Sequence, residues 1–117
     1  MEEADGLALS GYLLALAVTI VSETAVVVLL YPSARWRAGT CCVVANAVTH
    51  IAMHHLLPRW VSSYAAWLVI GETGALAVEA ASYWVCLSRF GLARAVVASA
   101  LANLTSYAIG VALLSLR

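Results

Sequence analysis

Four stretches of this 117-residue chain are each apolar for about 20 residues, the length a helix rising 1.5 Å per residue needs to cross a hydrocarbon core. They run over about 7–31, 39–57, 63–86 and 93–116, and the first two end at Pro32 and Pro58. No segment alternates apolar and polar residues over the length of a barrel strand, so the spans read as helices. Connections of about eight residues or fewer force each helix antiparallel to the one before it. The expected fold is all-α, a polytopic membrane protein with four transmembrane helices in a single domain over 1–117.

Composition agrees. Hydrophobic residues make up 64% of the chain and charged residues 10%, against roughly 45–50% and 25% in soluble domains. Six Arg balance six Asp and Glu, and there is no Lys, so no basic face exists to hold nucleic acid. The acidic start, Glu2, Glu3 and Asp5, and the long first apolar run argue for a retained helix over a cleaved signal peptide.

Arginine sets the expected orientation. Arg35 and Arg37 lie between the first two spans and Arg89 and Arg94 between the last two, against Arg59 in the middle loop and Arg117 at the end. Positive charge stays cytoplasmic, which puts both termini outside, with a bacterial inner membrane as the expected location. Trp36, Trp60 and Phe90 fall at span ends, where interfacial aromatics belong. Cys41, Cys42 and Cys86 form no Cys-x-x-Cys motif, so thiol redox chemistry has little support and small buried residues are the simpler reading.

The two halves of the chain repeat. Glu23 precedes Asn46 by 23 residues, and Glu79 precedes Asn103 by 24. Arg37 and Arg94 share with Asn46 and Asn103 an offset of 57 residues, and at that offset Thr49 pairs with Ser106 and His50 with Tyr107. This pattern predicts two tandem helical hairpins in a parallel internal repeat, over about 7–58 and 63–117, related by an axis along the membrane normal. The runs Ala45-Asn46-Ala47-Val48-Thr49-His50, Leu57-Pro58, Val78-Glu79-Ala80 and Arg94-Ala95, with Ser99 and Ala102-Asn103-Leu104-Thr105-Ser106, resemble a family of small four-helix bacterial membrane proteins. The resemblance implies location and architecture, and no activity.

Three carboxyl groups, Glu23, Glu72 and Glu79, fall inside predicted spans. A charge at the bilayer centre costs about 2.5–3.5 kcal/mol even on insertion scales, so these side chains must face the interior, accept hydrogen bonds or carry a proton. Counted from the Arg-bearing loops, Glu23, Asn46, Glu79 and Asn103 all lie about 13–15 Å deep, near the midplane. Such a ring serves either as an interhelical clamp or as a proton or ion site at the repeat interface.

A second polar layer lies further out. His50 and His54 are four residues apart and share a face with Asn46, while Glu72 is seven residues before Glu79. The repeat equivalents of Glu72 and His54 are Leu16 and Val111, so this layer is not inherited from duplication. His50, His54 and Glu72 have the composition of a divalent-metal ligand set, or can exchange a proton near neutral pH. If His54 instead sits at the outer interface, His50 is left to bond Glu72. Residues 51–53 read Ile-Ala-Met, which removes the Glu a zinc protease needs. Small residues along the third and fourth spans, including Gly71, Gly74, Ala98, Ser99, Ala102 and Gly110, predict close helix packing. Gly74 beside Glu72 also predicts local loosening of the third helix.

Three function classes remain open. The first is a transport-related unit moving protons, metal ions or small solutes, working as a homo-oligomer or with a larger membrane partner. The second is a membrane enzyme or metal carrier using His50, His54 and Glu72, with Glu79 or Tyr107 as acid or base. The third is an accessory subunit whose polar groups only hold helices together.

Overall fold

The computed structural model describes residues 2–116, all-helical but for short connections; Met1 and Arg117 lie outside the described residues. The chain forms α1 (Glu2–Leu30), α2 (Arg35–Ile51), α3 (Tyr64–Cys86) and α4 (Leu92–Ser115). Each packs mainly on two neighbours, α1 against α2 and α4, and α3 against α2 and α4, so the four close into an up-and-down bundle.

Three of the four helical segments, Ala8–Leu30, Pro32–Arg59 and Leu92–Ser115, are long and apolar enough to cross a membrane. That corrects the expectation of four such spans. At 23 residues α3 has the length, but Glu72, Glu79 and its hydroxyl-bearing residues lower its apolar content. α3 is otherwise unbroken, so the loosening expected at Gly74 does not occur.

The bundle is apolar outside and small or polar inside. Val21, Leu29, Val69, Val85 and Leu104 all point outward, a shell suited to lipid and not to water. At the end where α1 meets α2 and α3 meets α4, the interior is dry. Val27, Tyr31, Tyr83 and Leu87 pack there with Ala38, Cys42, Ala95, Ala98 and Ala102. With no hydrophobic effect between helices in lipid, such small residues bring backbones close enough for dispersion to hold them. Ser99 Oγ donates to the Leu76 carbonyl at 2.8 Å, joining α4 directly to the α3 backbone. Arg89 and Arg94 lie over the Phe90 ring at 4.6 and 5.3 Å, covering this end with cation–π contacts.

At the opposite end α2 widens into a π-helical turn over Ala52–Leu56. Within it the Leu57 N–H reaches back five residues to the Ala52 carbonyl. The next bond in that pattern would run from residue 58 to the Met53 carbonyl, but residue 58 is proline and has no N–H. Trp67 supplies the missing donor: its Nε1 donates to the Met53 carbonyl at 2.7 Å, tying the turn to α3. Trp67→Phe keeps the ring and removes that donor. It should lower stability in detergent by about 1–3 kcal/mol, measured by thermal unfolding. Adding Pro58→Ala, which restores a backbone donor, should recover part of the loss; no recovery would show that the carbonyl is satisfied some other way.

α3 starts where Ser63 Oγ accepts from the Ala66 N–H at 3.4 Å, an N-cap. α4 starts at Gly91, whose φ of 86° favours glycine.

Candidate functional site: a carboxyl-lined cavity between the helices

Beyond the dry half, the bundle interior opens into a cavity of about 330 Å³. Glu23, Glu72, Glu79, Asn46, Asn103, His50, His54 and Tyr107 all line it. Glu23, Glu79 and Asn46 are 1–2% exposed, while Glu72, Asn103, His50 and His54 are half-buried and Tyr107 is exposed.

The innermost part is a hydrogen-bonded floor. Asn103 Nδ2 donates to Glu79 Oε2 and, at 2.9 Å, to the Ser99 carbonyl on its own helix. Thr49 Oγ1 lies 3.5 Å from Glu79 Oε1 and 3.2 Å from the Asn46 carbonyl. Around Glu23 the pattern is similar. Ser106 Oγ lies 2.6 Å from Glu23 Oε1 and 3.1 Å from the Asn103 carbonyl. Each hydroxyl has one proton and two acceptors in reach. When the carboxyl is ionised, the hydroxyl donates to it. When the carboxyl carries a proton, that proton is donated to the hydroxyl oxygen, and the hydroxyl donates to the backbone carbonyl instead. The floor accommodates either state without a change of position.

The two carboxyls nevertheless differ. Asn46 Nδ2 donates to the Cys42 carbonyl at 3.1 Å and to Cys42 Sγ at 3.4 Å. The Asn46 side chain is also within hydrogen-bonding reach of Glu23, as Asn103 is, more closely, of Glu79. Glu79 therefore has a close donor on both oxygens, while Glu23 Oε2 is buried without one. An unpaired buried acceptor costs about 1–3 kcal/mol, so this oxygen favours a proton or a donor entering from the cavity.

The outer wall is aromatic. The His50 and His54 rings stack at 4.4 Å, Tyr12 meets both edge-on at 5.0 and 5.1 Å, and Trp67 meets His54 at 5.3 Å. No group of three or more His, Cys, Asp or Glu among the described residues is arranged to hold a metal ion. With its ring stacked on His54, His50 leaves Nδ1 buried and unpartnered and forms no hydrogen bond to Glu72. The thiols also differ from the simple buried reading: Cys42 is buried, Cys41 half-buried and Cys86 exposed, all free.

Sequence reasoning does not reach Thr49, Ser106 and Trp67 in the cavity wall, nor Tyr12 behind the histidines. Thr49 and Ser106 had a signal, each lying three residues after its Asn on the same helix face. Tyr12 had none, because its contact with the histidines depends on how α1 packs against α2.

No family model, curated protein or solved structure matches the chain, so the resemblance to small four-helix bacterial membrane proteins draws no support from those comparisons.

Proposed function

We propose that this chain is a small transport-related integral membrane protein whose cavity binds a proton or cation at Glu23. The observation that carries the reading is the contrast between the two floor carboxyls: Glu79 has a close donor on each oxygen and acts as an interhelical clamp, whereas Glu23, bonded to Ser106 and reached less closely by Asn46, keeps one buried oxygen without a close donor on a cavity wall. The Ser106 hydroxyl, able to donate to Glu23 or accept from it, makes loading and unloading of a proton possible without rearrangement. Membrane proteins place ion sites of this kind near the midplane between repeated units. Parallel duplication is supported by the matching positions of Cys42 and Ser99, Asn46 and Asn103, and Thr49 and Ser106 around the floor.

In this reading α3 crosses the membrane as well. α2 and α4 both cross, and the short connections return the chain from the end of one to the start of the other through α3. The carboxyls that lower its apolar content are turned into the bundle. The four Arg at the dry end face the cytoplasm, and the cavity opens on the opposite side, with the termini.

Dicyclohexylcarbodiimide, which modifies protonated carboxyls in apolar surroundings, tests the site. In native membranes the adduct should form on Glu23, decline as pH rises and disappear in Glu23→Gln. Cys42→Ala removes the competing sulfur acceptor, strengthens the Asn46 contact with Glu23 and should slow labelling several-fold. Proteoliposomes with a trapped pH-sensitive dye test transport: an imposed proton gradient should decay faster with the unaltered chain than with Glu23→Gln. Absence of labelling at acid and alkaline pH alike would refute the proton site.

A further inference from the structure

The free acceptors on the cavity wall define a ligand. Glu23 Oε2 is one, buried and without a close donor, with Asn46 in reach of the same carboxyl. Glu72 is another, half-buried, to which no described residue donates a hydrogen bond; His50 Nδ1 on the same wall is also buried without a partner. Glu79, between them in chemistry, is already satisfied by Thr49 and Asn103. Glu72 precedes Glu79 by seven residues on one continuous helix, so it stands about 10.5 Å further along the bundle than the floor. The vacant carboxyls therefore sit at two levels, on α1 and on α3.

The rest of the wall matches what such a pair of anions would hold. Three carboxyls and no arginine line the cavity among the described residues, so its charge favours a cation. Tyr64 and Trp67 stack at 5.6 Å beside it, and both line it together with Leu68 and Leu114. Aromatic faces attract an ammonium, and the aliphatic residues suit methylene groups. A volume of about 330 Å³ is that of a small organic molecule, and the donor groups do not converge as a bare metal ion requires.

We propose that the cavity binds a short aliphatic diamine in its doubly protonated form, one ammonium donating to Glu23 Oε2 and the other to Glu72, with the methylene chain along Trp67. This rests on the reading of the cavity as a cation site and names its ligand. An ammonium offers three donors, which fits an acceptor left without a close one. A quaternary ammonium offers none and would leave Glu23 Oε2 unsatisfied.

Binding of radiolabelled diaminobutane to the purified full chain, in detergent and an amine-free buffer, tests the assignment. Unlabelled diaminobutane should compete about tenfold or more better than butylamine, because the monoamine loses one of the two charge-assisted hydrogen bonds. Glu72→Gln, at a half-exposed position and checked for an unchanged size-exclusion profile, should reduce diaminobutane affinity by a similar factor. Competition by butylamine equal to that of the diamine, or an unchanged affinity in Glu72→Gln, would overturn the two-point site. If no amine binds while the carbodiimide adduct on Glu23 still forms, the diamine assignment falls and the proton site stands. If the adduct is missing as well, both fall.

Discussion

Asn103→Leu should be among the most destabilising single substitutions in the polar floor. The amide uses one N–H on the Ser99 carbonyl of its own helix and the other on Glu79 Oε2 across to α3. Leucine fills similar space but leaves a 1%-exposed carboxyl group with an oxygen facing no donor. Stripping one partner from a buried pair costs about 3–5 kcal/mol when the remaining group is charged, and about 1–3 kcal/mol when it is neutral. The total stability of a folded protein is typically ~5–15 kcal/mol, so either figure is a large fraction. The thermal unfolding midpoint in mild detergent reads the loss. Glu79→Gln as a second background then separates the two cases. If Glu79 is ionised in the bundle, Asn103→Leu should be several kcal/mol less damaging in the Glu79→Gln background than in the unaltered chain; if it is protonated, the two losses should be similar. A change under about 0.5 kcal/mol in both backgrounds would mean that water or a hydroxyl replaces the amide at no cost, and would remove the clamp role assigned to Glu79.

Much of this arrangement is legible in the chain because the membrane leaves few alternatives. Apolar runs of spanning length must be helices, and the few ionisable residues inside them must avoid lipid. Depth counting therefore brings Glu23, Asn46, Glu79 and Asn103 to one level before any packing is known. What stays hidden depends on contacts between helices. The duplication treats Asn46 and Asn103 as equivalents, and each amide meets the side chain four residues before it, sulfur at position 42 and a hydroxyl at position 99, but Asn103 bonds its carboxyl more closely than Asn46 does. The stacking of His50 on His54 follows from the four-residue spacing, but the Tyr12 ring that completes the aromatic wall comes from a separate helix. Likewise Pro58 signals the end of α2, whereas the π-helical turn before it relies on Trp67, nine residues further along the chain. The small residues divide in the same way. An added Cβ at Gly71 would lie 2.7–2.9 Å from the Met53 side chain, but at Gly74 and Gly110 it would meet nothing within 4 Å. A stripe of small residues shows that close approach is possible; it does not say which turn makes it.

Ala98→Leu should open the dry half of the bundle. Ala95, Ala98 and Ala102 recur at three- and four-residue spacing along α4, and all are 0% exposed within the cluster that includes Tyr31, Cys42 and Tyr83. The added isopropyl bulk has no void to enter, and overpacking of this kind costs about 1–3 kcal/mol by itself. The α4 backbone must then move outward, and it carries the Ser99 hydroxyl bonded to the Leu76 carbonyl and the Asn103 amide bonded to Glu79. Weakening those bonds adds about 1 kcal/mol or more for each. Ala108→Leu, at an outward position on the same helix, adds the same atoms toward lipid and should be close to neutral. Cys42 supplies a local readout, because its buried thiol should resist maleimide in the intact bundle and react once α4 separates. The expected result is a lowered unfolding midpoint and rapid Cys42 modification in Ala98→Leu, with neither in Ala108→Leu. Equal behaviour of the two variants would mean that α4 is held by its polar bonds alone and that the alanine stripe contributes no close packing.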